Sequence, residues 1–508
     1  MDADRALVAK EYKMYIGMNY VNGDFCPTRP DFENINPATE DSLGSFPEST
    51  KQEVEEAVSI AREAQSGWKI VSRVKRADMF DTLSQLLKRD HDDLVKTISL
   101  ETGKNLNESH AEVIEALHMC QVAASAGRQP YGEVIASELS TKDAKVIRKP
   151  KGVVAVISPW NFPLAIGSFW SSAPAIVEGN TVVHKPSELT PMIAQKVAKL
   201  YDEAGFPPGV YNMVHGAGET GKALVRSEVD HILFTGSAEV GQEIRKHCAE
   251  SFTKTCSMEC GSKSATIVFE DGDYNLALEA AIASAFKLSG QRCVSSSRVL
   301  VQRSIFDKFA NDFSSHAASL GTGCPFETDA PFYGPIISKE QMDKVMSFNQ
   351  MVRDDKDAKV LVSGSPDSTT KNTHPKGYFL TPFVYQCEWG EKEFLKNEVF
   401  GPHVVLIPFD DLDDAIRIYN DTDYGLALGI VTDDYRKHKI IEQECTTGML
   451  YLNGGSIAAE SHLPFSSWKK SGYGASASAT YKAVTHTMAV TANYEYGISW
   501  AQGMKTGN

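Results

Sequence analysis

The stretch Gly152-Val-Val-Ala-Val-Ile-Ser158 is a continuous apolar run with no polar alternation. A strand of that kind has both faces out of water, so it belongs inside a parallel sheet covered by helices on each side. The chain after it repeats the demand. Its patterning predicts a helix over 165–177, a strand over 181–184, a helix over 191–203, a strand over 210–214, a helix near 221–226 and a strand over 231–234. Strand and helix alternating at this spacing describe a doubly wound α/β domain. A second α/β series starts near 265 and runs to about 460, with strands at 266–269, 298–302 and 404–408. Ahead of both, Asn22-Gly23 signals a hairpin, and Ser49-Thr50 followed by Glu53 signals a capped helix start. Helical periodicity then runs through Val54, Ala57 and Ala61 and through Met79, Leu83 and Leu87, with further helices near 90–102 and 107–126. Residues 363–377 read as a surface loop, and a β-prone tail over 484–500 lies outside both series.

At 508 residues the chain exceeds one ordinary hydrophobic core. Its net charge of -15 argues against a nucleic-acid binder, whose footprint would be basic. The first residues, Met1-Asp-Ala-Asp-Arg-Ala-Leu7, lack the apolar centre of a signal peptide, and no apolar run reaches membrane-spanning length. Nine cysteines without CxxC pairs fit reduced thiols in a reducing compartment, so a cytoplasmic location is expected. Cys256 and Cys260 are four apart with no His or Cys cluster to complete a zinc set, so no metal is expected.

Several motifs carry chemistry. Leu288-Ser-Gly-Gln-Arg-Cys-Val-Ser-Ser-Ser-Arg298 puts a thiol, Cys293, on a Gly-containing junction between a helical run and a strand. Such a thiol is a nucleophile when a neighbour lowers its pKa or takes its proton. Upstream, Met258-Glu259 offers a carboxylate as general base for the thiol or for a water. Ser158-Pro-Trp160-Asn161-Phe-Pro163 and His184-Lys185-Pro-Ser-Glu188 each follow a strand, at the sheet edge where ligands of α/β proteins bind. Asn161 there can donate to a developing oxyanion, and Lys185 with Glu188 can grip ribose hydroxyls. Phe234-Thr-Gly236-Ser237-Ala-Glu-Val-Gly241 is an anion-site pattern at a strand-to-helix turn. Gly216-Ala-Gly218-Glu-Thr-Gly-Lys222 nearly matches a phosphate loop, but Ala223 stands where a magnesium-binding hydroxyl is needed, so a nucleoside triphosphatase is a weak reading. Late in the chain, Asn397-Glu398-Val-Phe400-Gly-Pro402 adds an acid and an aromatic.

Taken in order, Trp-Asn-Phe-Pro, Lys-Pro-Ser-Glu, Phe-Thr-Gly-Ser, Glu-x-Gly-x-Lys, Gly-Gln-x-Cys and Glu-Val-Phe-Gly-Pro closely resemble the NAD(P)-dependent aldehyde dehydrogenase superfamily, over essentially the whole chain. The resemblance implies that Cys293 attacks the aldehyde to form a thiohemiacetal, that Asn161 and the Cys293 amide hold the oxyanion, that hydride leaves to the nicotinamide, and that Glu259 activates the water that hydrolyses the thioester. It assigns Ser158, Trp160, Lys185, Glu188, Gly218, Gly236, Ser237, Glu398 and Phe400 to the cofactor. NAD is preferred over NADP because a carboxylate at Glu188 accepts from ribose hydroxyls and repels a 2′-phosphate. The implied fold is a Rossmann-type cofactor domain (1–131 and 150–261), an α/β catalytic domain (262–462) and a small β oligomerisation element (132–149 and 480–508) that makes a homodimer or homotetramer. The partner is a small-molecule aldehyde, a semialdehyde among the candidates, with no nucleic acid and no membrane. Rival readings are a catalytically silent NAD-binding structural protein of the same fold and an aldehyde dehydrogenase acylating coenzyme A. Three departures from the family pattern stand out: Cys260 beside the base, Phe465-Ser-Ser-Trp-Lys469, and Ala475-Ser476 after Gly474. At the entrance, His462 and Arg298 are candidates for a substrate carboxylate, with Arg298 better read as a support for its strand; Phe169 and Trp170 point to an apolar, aromatic or cationic aldehyde.

Overall fold

The structure is a computed structural model that describes residues 15–326, 331–367, 376–474, 476–497 and 500. Ala475, the 368–375 part of the surface loop, the first fourteen residues and the last of the tail lie outside these described residues.

An eight-stranded sheet has five parallel strands at its centre: Tyr211–Met213, Thr181–Lys185, Val153–Ile157, His231–Thr235 and Thr255–Glu259, side by side in that order. Every residue of Val153–Ile157 is buried, as its unbroken apolar run requires. Chain order reverses between Val153–Ile157 and His231–Thr235. That is the topological switch point at which open α/β sheets take ligands. The amino edge of the chain adds the hairpin Asn19–Val21/Asp24–Cys26, whose turn residues Asn22 and Gly23 both have positive φ. Helix Lys51–Trp68 starts with a reciprocal cap: Thr50 Oγ1 accepts from the Glu53 amide at 3.3 Å and Glu53 Oε2 accepts from the Thr50 amide at 2.7 Å.

The stretch expected to be one helix over 165–177 is a π-helix, Ile166–Ser171, running into an α-helix, Ser172–Val177. Pro174 has no N–H to give the Trp170 carbonyl, and the Ser172 hydroxyl instead donates to Gly167 O at 2.8 Å.

The second sheet has seven strands, six of them parallel, with Ala265–Val268 and Arg298–Gln302 adjacent at its centre. The two α/β units meet so that the carboxyl edge of the first sheet faces the amino edge of the second. The loops out of Val153–Ile157 and Thr255–Glu259 and the loop into Arg298–Gln302 therefore converge. A short strand, Gly472–Tyr473, crosses back to pair with Met258–Glu259. The third sheet is antiparallel, Thr485–Asn493 with Lys142–Pro150 over nine register pairs and then Gly132–Ile135. Its outer strand Thr485–Asn493 is an edge with mostly exposed residues.

Candidate active site

Cys293 sits just past three residues in the left-handed region, Leu288 (φ 56°), Ser289 (φ 55°) and Gly290 (φ 69°). Only the glycine is suited to that backbone, and a Cβ on it would lie 2.2 Å from Gly401 O. The other two are held there by their neighbours. The Leu288 amide donates to Glu108 Oε1 at 2.7 Å, the Ser289 hydroxyl donates to Gly334 O at 2.7 Å, and Gln291 Oε1 accepts from the Ile337 amide at 3.1 Å. Beyond the thiol, the Cys293 carbonyl accepts from Ser262 Oγ, and the Ser296 amide donates to Ser284 O at 3.0 Å. The backbone of Cys293 is thus fixed from both sides.

Around it the chain gathers the other candidates. Asn161, 5% exposed, donates its side-chain amide to Gln291 O at 3.0 Å. Glu259 ends the last parallel strand of the first sheet, and its Oε2 is buried without a hydrogen-bond partner. Burial raises its pKa well above the carboxylate range. Burial, with the charges of Glu398 and Glu259 adding to it, pushes the Cys293 thiol up to about 12. Glu398 accepts from the Ser262 amide at 2.7 Å, and burial pushes it up to about 7. Half-buried Cys293 and Glu398 and buried Glu259 and Asn161 therefore form one constellation.

The other sequence-derived candidates line the switch point. Phe400, at φ 61°, meets the Trp160 ring edge-on with centroids 5.5 Å apart. Ser158 Oγ hydrogen-bonds His184 Nε2 at 2.8 Å. Gly236 ends strand His231–Thr235, and Ser237 caps helix Ala238–Ala249, accepting from the Val240 amide at 3.3 Å. Gly218 opens helix Gly218–Arg226, and a Cβ there would meet nothing within 4 Å. Lys185 does not reach outward: its Nζ donates to Pro186 O at 2.8 Å and Gly216 O at 2.7 Å, with Glu188 Oε2 3.8 Å away. The Glu188 side chain remains 42% exposed at the rim.

The structure bears on five further readings. The phosphate-loop match fails on geometry, because the Ala217 amide donates to Glu48 Oε2 at 2.8 Å and Lys222 turns to Glu219 at 2.7 Å. Arg298 is a strand support: it is 1% exposed and donates to Lys263 O at 2.8 Å and Ile418 O at 3.0 Å. Phe169 and Trp170 are both buried in the core rather than set at an entrance, Phe169 stacked on Tyr201 and Trp170 edge-on to Phe465. Cys260 lies in an apolar cluster with Phe234, Ile244 and Met258, as a replacement for an apolar residue would. His462 pairs with Glu460 at 3.4 Å on the wall of a cavity of about 700 Å³ that Glu115 and His118 also line. The sequence reading missed Glu108, Glu112 and Lys104, whose signal was two acids four apart on the helix Leu106–Ala126.

Among the described residues there is no cluster of metal-binding side chains, and no helix is long and apolar enough to cross a membrane.

Comparison with known proteins agrees with this arrangement. The model of the aldehyde dehydrogenase family matches residues 26–491. The chain is 34% identical over 468 residues to Aldehyde dehydrogenase [NAD(P)+] 2 of Saccharomyces cerevisiae, covering 90% of each chain. It is 32% identical over 461 residues to the alpha-ketoglutaric semialdehyde dehydrogenase of Bacillus subtilis, covering 89% of this chain and 93% of the relative. The crystal structure of betaine aldehyde dehydrogenase from Staphylococcus aureus in complex with NAD+ superposes with a TM-score of 0.92 at 29% identity, covering 97% of this chain and 98% of that one. The chain belongs to the aldehyde dehydrogenase family and is an oxidoreductase acting on aldehydes.

Proposed function

We propose that the protein oxidises an aldehyde to its carboxylic acid with NAD(P), through a thioester on Cys293. The observation that carries the reading is the convergence of half-buried Cys293 with buried Glu259 and Asn161 on the loops between the two sheets. The Cys293 thiol gives its proton to solvent water, its Sγ adds to the carbonyl carbon as the C=O π bond opens, and the oxygen becomes an alkoxide held by the Asn161 side-chain amide and the Cys293 backbone amide. A glutamate whose pKa burial has raised is the stronger base, which suits Glu259 to take a proton. Bound nicotinamide supplies the acceptor for the hydride that leaves the adduct carbon, and a thioester remains on Cys293. Water deprotonated by Glu259 adds to that thioester, the C–S bond breaks, and the carboxylate departs.

The residues at the switch point fit a dinucleotide. Open space above Gly218, the helix start at Ser237 and the Trp160–Phe400 ring pair supply room, amide donors and an apolar wall. In this reading Lys185, Glu188 and Gly218 serve the adenosine side, Gly236 and Ser237 the diphosphate, Glu398 the nicotinamide ribose, and Ser158, Trp160 and Phe400 the ring. The exposed Glu188 carboxylate favours NAD, with NADP as the alternative. The described residues of 1–131 and 150–261 form the cofactor domain and those of 262–462 the catalytic domain. The described residues of 132–149 and 480–508 form an arm whose edge strand Thr485–Asn493 pairs subunits into a homodimer or homotetramer.

Two features bear on the aldehyde. Arg292, next to the nucleophile, leaves its buried Nε without an acceptor and lies 5.5 Å from the Phe162 ring, which supports a semialdehyde carrying a carboxylate. Glu115 and Glu460, which line the cavity of about 700 Å³ beside His462, support a cationic aldehyde. NADH formation across aliphatic, aromatic, carboxylate-bearing and ammonium-bearing aldehydes, with NAD and NADP and with or without coenzyme A, tests the whole reading. Turnover without coenzyme A supports water as the acceptor. Dependence on coenzyme A supports the acylating alternative, and no turnover despite NAD binding supports the silent one.

A further inference from the structure

The helix Leu106–Ala126 presents two carboxylates four residues apart on one face, Glu108 (7% exposed) and Glu112 (1% exposed). Each grips a different loop of the active site. Glu108 Oε1 accepts from the amide of Leu288, the first left-handed residue on the approach to Cys293, at 2.7 Å. Glu112 Oε1 accepts from the amides of Leu164 at 2.8 Å and Ala165 at 3.2 Å, in the turn that follows Asn161. The other Glu112 oxygen is held by Lys104 Nζ at 2.5 Å, and Lys104 is 1% exposed with its ammonium 4.0 Å from the Phe162 ring centroid. The two loops are then tied to each other by Asn161 Nδ2 and Gln291 O.

Stability alone does not account for this arrangement. A buried ion pair is weak support for folding, since an apolar pair of similar volume often does as well. Glu108 Oε2 is buried with no hydrogen-bond partner, a cost that a merely space-filling residue would not carry. What the carboxylates provide is direction: charged acceptors fix two backbone turns against a single rigid helix face.

We propose that Glu108, Glu112 and Lys104 are positioning residues that set the separation between the Cys293 thiol and the Asn161 amide. They touch neither substrate nor cofactor; they hold the nucleophile loop and the oxyanion loop to one gauge. The proposal rests on the roles given above to Cys293 and Asn161. A misplacement of about 1 Å at such a site costs roughly a hundredfold in rate.

A double-mutant cycle separates positioning from general support. The variants are Lys104→Met/Glu112→Met, which removes both charges together, and Asn161→Ala, alone and combined. Steady-state kcat and KM for NAD are measured alongside thermal unfolding. The expected result is a loss of about 10- to 100-fold in kcat for the Met pair, with KM for NAD within about twofold of wild type. In the Asn161→Ala background the Met pair costs less than about twofold more, because the donor it positions is gone. Should the Met pair not fold, Glu112→Gln, which keeps one acceptor oxygen, carries the same cycle with a smaller loss. Losses that multiply in full, or an unchanged kcat in a folded variant, overturn the proposal. If Asn161→Ala itself leaves kcat unchanged, the oxyanion reading falls and the gauge with it; multiplying losses beside a damaged Asn161→Ala sink the gauge alone.

Discussion

The side-chain amide of Asn161 donates to the carbonyl of Gln291 at 3.0 Å, two residues before Cys293. That bond joins the loop after the first buried strand to the loop before Arg298–Gln302, although the two lie 130 residues apart in the chain. One of the amide's hydrogens is committed there, and in the proposed reading the other serves the substrate oxygen. Asn161→Ala should therefore lower kcat about 100-fold, the usual cost of one oxyanion donor, while NAD affinity by fluorescence titration stays put. Loss of NAD affinity instead would place Asn161 in the cofactor site.

The Cys293 thiol is held neutral at ordinary pH in the free enzyme by burial first and by the charges of Glu398 and Glu259 after it. Thiolate therefore grows with rising pH, through a pKa of about 12. Alkylation of Cys293 by iodoacetamide should accelerate about tenfold per pH unit between about pH 7 and pH 10. Glu398→Gln removes a negative charge that opposes the thiolate, so it should speed alkylation at each pH; slower or unchanged labelling would show that Glu398 does not act on the thiol.

Much of this was legible in the residues. The unbroken apolar run 153–157 dictated a buried parallel strand, and the glycine and proline punctuation placed its neighbours to within a residue or two. Strand Thr255–Glu259 was not legible, because Thr, Cys and Ser interrupt its apolar pattern and its burial comes from strands on either side. Leu288 and Ser289 give no local sign of a left-handed turn, since tertiary hydrogen bonds impose it. Glu108 and Glu112 look like ordinary acids on a helix until the loops they hold are folded over them.

Gly290 has φ 69° and its missing Cβ faces Gly401 O at 2.2 Å. Gly290→Ala should destabilise the fold by about 2 kcal/mol or more and take activity with it. Thermal unfolding measures the first effect, and an unshifted midpoint would mean that the turn relaxes freely.

Glu188 stands exposed at the rim with Lys185 turned inward. Removing its charge in Glu188→Gln should lower KM for NADP by about fivefold and raise KM for NAD, since an exposed charge contact is worth about 1 kcal/mol. A parallel change for both cofactors would show that Glu188 does not read the ribose 2′-position.

The central claim is that an acyl group passes through Cys293 and leaves by water that Glu259 activates. Glu259→Gln, mixed with NAD and a turned-over aldehyde, should accumulate that acyl-enzyme. Intact-mass measurement followed by peptide mapping should then find one acyl group, on the peptide containing Cys293, together with one equivalent of NADH. An unmodified enzyme that still releases NADH, or an acyl group on another cysteine such as Cys260, would contradict the account.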